Sequence, residues 1–176
     1  AQMGQAEPWT TVFPRIHLEY GNETWGGGGP GDPFGGSSVG YQLGRCVKAV
    51  FGHMKTHPDF DTTVLDLMAP GQASNHYMNT QIGDTGGEYD SIGWAPYFGN
   101  ATNYATDEEL FLPTLANAQQ VASTGIIGRN VETARGYNPQ TGVAIYEINF
   151  HTTGDDGPPE EIRNRYVAGQ FGALAL

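Results

Sequence analysis

The sequence is poor in cysteine, in charge and in long apolar runs, and each shortage excludes something. Cys46 is its single cysteine, so no internal disulfide framework, zinc ribbon or dithiol redox motif is available, and cysteine usage leaves the redox compartment open. Charged residues make up 15% of the chain, 8 basic against 19 acidic, for a formal net charge of −11. A groove that neutralises phosphates needs the opposite balance, so nucleic acid is not an expected partner. No apolar run approaches the roughly 18 residues that span a bilayer, so no membrane partner is expected. Residues 1–7 lack the basic start and apolar centre of a secretory signal.

What is plentiful is glycine (26), proline (11) and aromatic residues (11%) in a chain of 176 residues. That composition describes a loop-rich globular protein with aromatic side chains to spare for its surface, and the length fits a single domain, 1–176. The sequence starts at Ala1 instead of Met and stops on the uncapped apolar run GALAL; that ending reads as cut inside an element, and truncation at both ends is expected.

Along the chain, residues 13–20 (FPRIHLEY) alternate loosely and end at Gly21-Asn22, the pattern of a short strand followed by a turn. A Gly- and Pro-rich loop covers 26–38. Val39, Leu43, Val47, Val50 and Phe51 then recur at spacings of three and four, predicting a helix that stops near His57-Pro58. Residues 62–68 (TTVLDLM) form the second expected strand, 75–81 a short helix, and 91–98 (SIGWAPYF) a third strand with Pro96 near its end. Acids at 107–109 open a helix reaching about 123, where the helix dipole favours them. A helix over 126–135, a turn at 137–142, a fourth strand over 143–150 (VAIYEINF) and a helix from 162 to the end complete the reading. Strand, loop and helix thus recur four times, which predicts an α/β fold of about four βα units around parallel strands.

In such sheets functional groups collect at the carboxyl ends of strands. The first strand runs into Asn22, Glu23 and Trp25, and the last carries Tyr146, Glu147 and Asn149. Two carboxyls meeting across a barrel mouth suit glycoside hydrolysis, one protonating the leaving oxygen and the other attacking the sugar or activating water. Asn22 would bind the sugar 2-hydroxyl, and Trp25, Trp94, Tyr97 and Phe98 would stack on sugar rings. The same aromatics suit a hydrophobic core equally well, with Trp25, beside the glycine run, the one expected to face ligand. Glu19 reads as a structural hydrogen-bonding residue, and Asn149 as a neighbour on the face of Glu147.

These residues also carry a family resemblance. The segment IHLEYGNETW (16–25) is similar to the strand-four signature of the superfamily of retaining (β/α)₈ glycoside hydrolases, where Asn-Glu ends the strand. VAIYE (143–147) resembles strand seven, and 90–98, ending APYF, resembles strand six. Within that superfamily the likeness is to bacterial cellulose-binding-protein and arabinofuranosidase-like barrels, which share the flavour of EYGNExW and of YExNxxTTG, the latter at 146–154. The resemblance implies a partial TIM barrel, strands four to seven, with Glu23 as acid/base and Glu147 as nucleophile. It implies a carbohydrate substrate of plant polysaccharide type, a secreted or extracellular protein, and no cofactor. Because a whole barrel takes about 200 residues or more, it also implies that the remainder of the barrel must be supplied for activity, and that the isolated chain is inactive.

A different class of function fits the same aromatics: a carbohydrate-binding module without catalysis. Other sites are not expected. His53 and His57 have a helical i, i+4 spacing but lack the Glu of His-Glu-x-x-His, so no metal is assigned. The glycines of 26–36 match neither the dinucleotide nor the P-loop pattern, and the acids of 84–90 lack the order of an EF-hand. Of two sequons, at Asn22 and Asn100, only Asn100 suits a glycan if Asn22 lies in a sugar cleft.

Overall fold

In the computed structural model the described residues are 8–21, 24, 39–98, 106–123 and 125–150, with backbone alone at 107, 109–111, 149 and 150. The expected helix at 162–176, and Asn22, Glu23, Trp25 and Asn100, lie outside them. The elements in chain order are α1 (Trp9–Val12), β1 (Ile16–Glu19), α2 (Val39–Lys55), β2 (Leu65–Pro70), α3 (His76–Asp84), β3 (Ser91–Trp94), β4 (Tyr97–Phe98), α4 (Asp107–Ser123), α5 (Ile126–Tyr137), β5 (Gly142–Ile145) and β6 (Asn149–Phe150). They fall into two compact units, Ala1–Trp94 with Thr133–Ala144, and Ala95–Glu132 with Ile145–Leu176.

The first unit holds a four-stranded parallel sheet in the order β1-β2-β3-β5. Spatial order follows chain order without reversal. Burial follows position. The central strands β2 and β3 are buried along almost their whole length, as parallel strands covered on both faces must be. The flanking strands β1 and β5 are only half-buried.

α2 lies against β2 and α3. Leu43, Val47 and Phe51 carry its apolar face into the core, whereas Val50, which shares their spacing, is 42% exposed. The crossing with α3 is close because α2 has glycine at 40 and 44, one turn apart. A Cβ at Gly40 would stand 2.5 Å from the Met78 carbonyl oxygen, and one at Gly44 2.6 Å from Thr85 Oγ1. Gly52, on the same helix, has only Glu88 Cγ at 3.5 Å. Alanine is the better helix former by about 1 kcal/mol, so the two sites should respond with opposite sign. Gly52→Ala should stabilise by about 0.5–1 kcal/mol, and Gly40→Ala should destabilise by about 1–2 kcal/mol because backbone has to move. Chemical denaturation of both variants checks this.

Several boundaries differ from those the sequence suggests. β1 begins at Ile16 and not at residue 13, because the preceding chain forms the turn α1, on which Trp9 and Phe13 stack at 5.4 Å between ring centroids. Asn75 does not open the helix but caps it, its side chain accepting from the Met78 amide at 3.2 Å. The expected strand over 91–98 divides at Ala95-Pro96 into β3 and β4, and that over 143–150 into β5 and β6. In the second unit β4 and β6 pair with each other as a separate parallel ribbon. α4 also continues through Pro113, which is exposed.

Candidate active site

Chemistry in this fold belongs at the carboxyl ends of the strands. At the end of β1 the chain turns at Gly21, whose φ of 68° lies in the left-handed region that favours glycine. Its amide donates to the Glu19 carbonyl at 3.0 Å, and Tyr20 remains tied to the sheet through the Met68 carbonyl at 3.1 Å. The sequence passes directly from this turn to Asn22-Glu23. Tyr20 packs edge-on against Phe51, and its hydroxyl is pushed above the ordinary phenol value by burial and by Cys46.

At the ends of β2 and β3 the packing is tighter. Gly71 donates its amide to the Gly93 carbonyl at 2.9 Å, extending the ladder by one residue. The loop beyond is clamped by Asn79, which accepts from the Gln72 amide at 2.9 Å and donates to its carbonyl at 3.0 Å. Trp94 fills the space over Gly71, where any Cβ would collide with the indole nitrogen. The indole is 1% exposed, and its N–H is buried without a hydrogen-bond partner. This corrects the stacking role expected of Trp94: β3 is a central strand, so the ring is core, and the group it has to offer is a lone N–H donor. Gly71→Ala should displace the ring at a cost of about 2–3 kcal/mol, read as a change in tryptophan fluorescence together with a lowered denaturation midpoint.

In the second unit, Glu147 follows β5 by two residues and is exposed, while Tyr97 on β4 is half-buried and Phe98 is buried. Among the described residues there is no group of three or more His, Cys, Asp or Glu able to hold a metal. α2 ends at Lys55, so His57 lies beyond the helix and the i, i+4 spacing with His53 is not a helical one. No described helix is long and apolar enough to cross a membrane.

Sequence reasoning passed over a buried charge at the opposite, amino end of the sheet. Asp66 on β2 is 3% exposed. One carboxylate oxygen accepts from Arg15 at 2.8 Å, and the other pairs with His17 Nδ1 at 2.6 Å and accepts from Ser91 Oγ at 2.7 Å. Burial pushes the Asp66 carboxyl up, but the hydrogen bonds from Ser91, Arg15 and His17 outweigh it and hold the group below its ordinary value. Serine, histidine and aspartate meet here, yet the serine donates to the carboxylate and not to the imidazole, so no nucleophile is activated. The cluster fastens β1, β2 and β3 to one another. Its signal was available in the sequence, since a lone acid inside TTVLDLM needs partners if the run is buried.

No family model and no curated protein sequence matches this chain. Among solved structures it is similar to the GH51 arabinofuranosidase from Xanthomonas axonopodis pv. citri, with a TM-score of 0.58 and 14% identity over 81% of this chain. That likeness is one of fold. The match spans 29% of the arabinofuranosidase chain, less than a third of its length.

Proposed function

We propose that the chain carries the catalytic carboxylates of a retaining glycoside hydrolase of the (β/α)₈ type, secreted to act on plant-type polysaccharide. The observation that supports this most is the winding of the parallel sheet. Its strands follow one another in chain order, β1 leads in sequence to Asn22-Glu23 and β5 to Tyr146-Glu147, and the fold is similar to that of an arabinofuranosidase.

In the proposed reaction Glu147 attacks the anomeric carbon as the glycosidic C–O bond breaks, and Glu23 gives its proton to the departing oxygen. Water, deprotonated by Glu23, then displaces Glu147 from the same carbon, so two inversions give net retention. The mechanism needs the two carboxyls about 5–5.5 Å apart, against about 6.5–9.5 Å for inversion. Glu23 works as an acid when partly desolvated. Asn22 binds the 2-hydroxyl, and Trp25 and Tyr97 line the sugar site.

The test uses the longest natural polypeptide that contains these residues, assayed on a panel of aryl glycosides with the product anomer read by NMR. Turnover with retention is expected, lost in both Glu23→Gln and Glu147→Gln. Binding to insoluble glucan, with no turnover by the unaltered protein, would instead assign a binding module without catalysis.

A further inference from the structure

Away from the strand ends just described, the first unit has a second place with the makings of a ligand site. Asp84, the last residue of α3, is exposed, and each of its carboxylate oxygens accepts from one tyrosine hydroxyl, Tyr41 from α2 at 3.0 Å and Tyr137 from α5 at 2.8 Å. The Tyr137 hydroxyl is pushed up to about 12 by burial and by this carboxylate, so the phenol stays protonated and donates throughout the ordinary pH range. Beside the carboxylate is a cavity of about 300 Å³ walled by Tyr137, Tyr89, Asn138 and the backbone of Gly86 and Gly87. Two glycines seat its rings: a Cβ at Gly83 would strike the ring of Tyr137, and one at Gly87 the ring of Tyr89.

A carboxylate has about four acceptor positions, and the two phenols fill two. The remaining two match the paired O–H donors of neighbouring hydroxyls on a sugar, and tyrosine rings among the lining residues suit the C–H groups of the same sugar. The volume is at the small end of ligand sites, enough for one or two sugar rings. We propose that the cavity beside Asp84 and Tyr137 is a glycan-binding subsite, separate from the catalytic carboxylates, that holds one or two units of a neutral polysaccharide chain. The choice of sugar as ligand rests on the glycosidase reading.

The test is run in the Glu147→Gln background, so that glycan is not consumed, with arabinoxylan oligosaccharides as the probe. Backbone amides of Gly86, Gly87 and Asn138 should shift on titration, and Asp84→Ala should weaken binding of the oligosaccharides by about fivefold or more. In the parent protein, Asp84→Ala should leave hydrolysis of a small aryl glycoside unchanged. Shifts absent from these three amides, or oligosaccharide affinity unaltered by Asp84→Ala, would overturn the subsite while leaving the glycosidase reading in place. Should Asp84→Ala lower the denaturation midpoint, the amide shifts decide alone.

Discussion

Replacing Asp66 with alanine should destabilise the protein by about 3 kcal/mol. The substitution leaves the hydroxyl of Ser91, itself 3% exposed, without an acceptor, worth about 1–3 kcal/mol. It also removes charge-assisted bonds from Arg15 and His17 and opens a small void between strands. Arg15 and His17 each have side chains 56% exposed, so both are resolvated by water once Asp66 is gone, and the loss stays below that of stranding a buried charge. The pH dependence follows from linkage. A carboxyl held below its unfolded value of 3.8 contributes stability that is present above that value and lost as pH falls through the lower folded one. The difference between the unaltered protein and Asp66→Ala should therefore be constant from about pH 5 to 7 and shrink below about pH 4. Denaturant titrations at a series of pH values measure it, and a difference that does not change on acidification would refute the network's role.

The second large effect belongs to Glu147. If it is the nucleophile, Glu147→Gln should lower kcat on aryl glycosides by about 10⁴-fold or more, or about 5.5 kcal/mol of barrier at 1.36 kcal/mol per decade. A cavity variant separates the two carboxylates. In Glu147→Ala, added azide should take the place of the missing carboxylate and give the glycosyl azide of inverted configuration. In Glu23→Ala, azide should attack the covalent intermediate and give the azide of retained configuration. The reverse assignment of products would exchange the two roles, and equal, small losses in both variants would remove them from the chemistry.

Much of the fold was legible in the sequence because its signals are local. The spacing of Leu43, Val47 and Phe51 marked the buried face of α2, and the apolar runs at 62–68 and 91–94 marked strands that turned out to be central. What was not legible depends on partners far away in the chain. Trp94 looks the same in sequence whether it stacks on a sugar or fills a core, and only its seat over Gly71 distinguishes the two. The division of 91–98 and 143–150 into two strands each reflects pairing of β4 with β6, a contact between segments about fifty residues apart that no periodicity encodes. Asp84 drew notice only as one of several acids of 84–90, because the two tyrosines that give it meaning come from other helices. As for the candidate site, the described structure shows the turn that leads toward Asn22-Glu23 and the exposed position of Glu147, while the pairing of the two carboxylates is the reading carried by sequence.

That pairing is tested most directly by trapping. A 2-deoxy-2-fluoro glycoside with a good leaving group forms the covalent intermediate quickly and releases it slowly, because fluorine destabilises the oxocarbenium-like transition state of the second step. Incubated with the longest natural polypeptide bearing these residues, it should add the mass of one fluorosugar, and peptide mapping should place that mass on Glu147. An unmodified protein, or a label on any other carboxylate, would contradict the assignment.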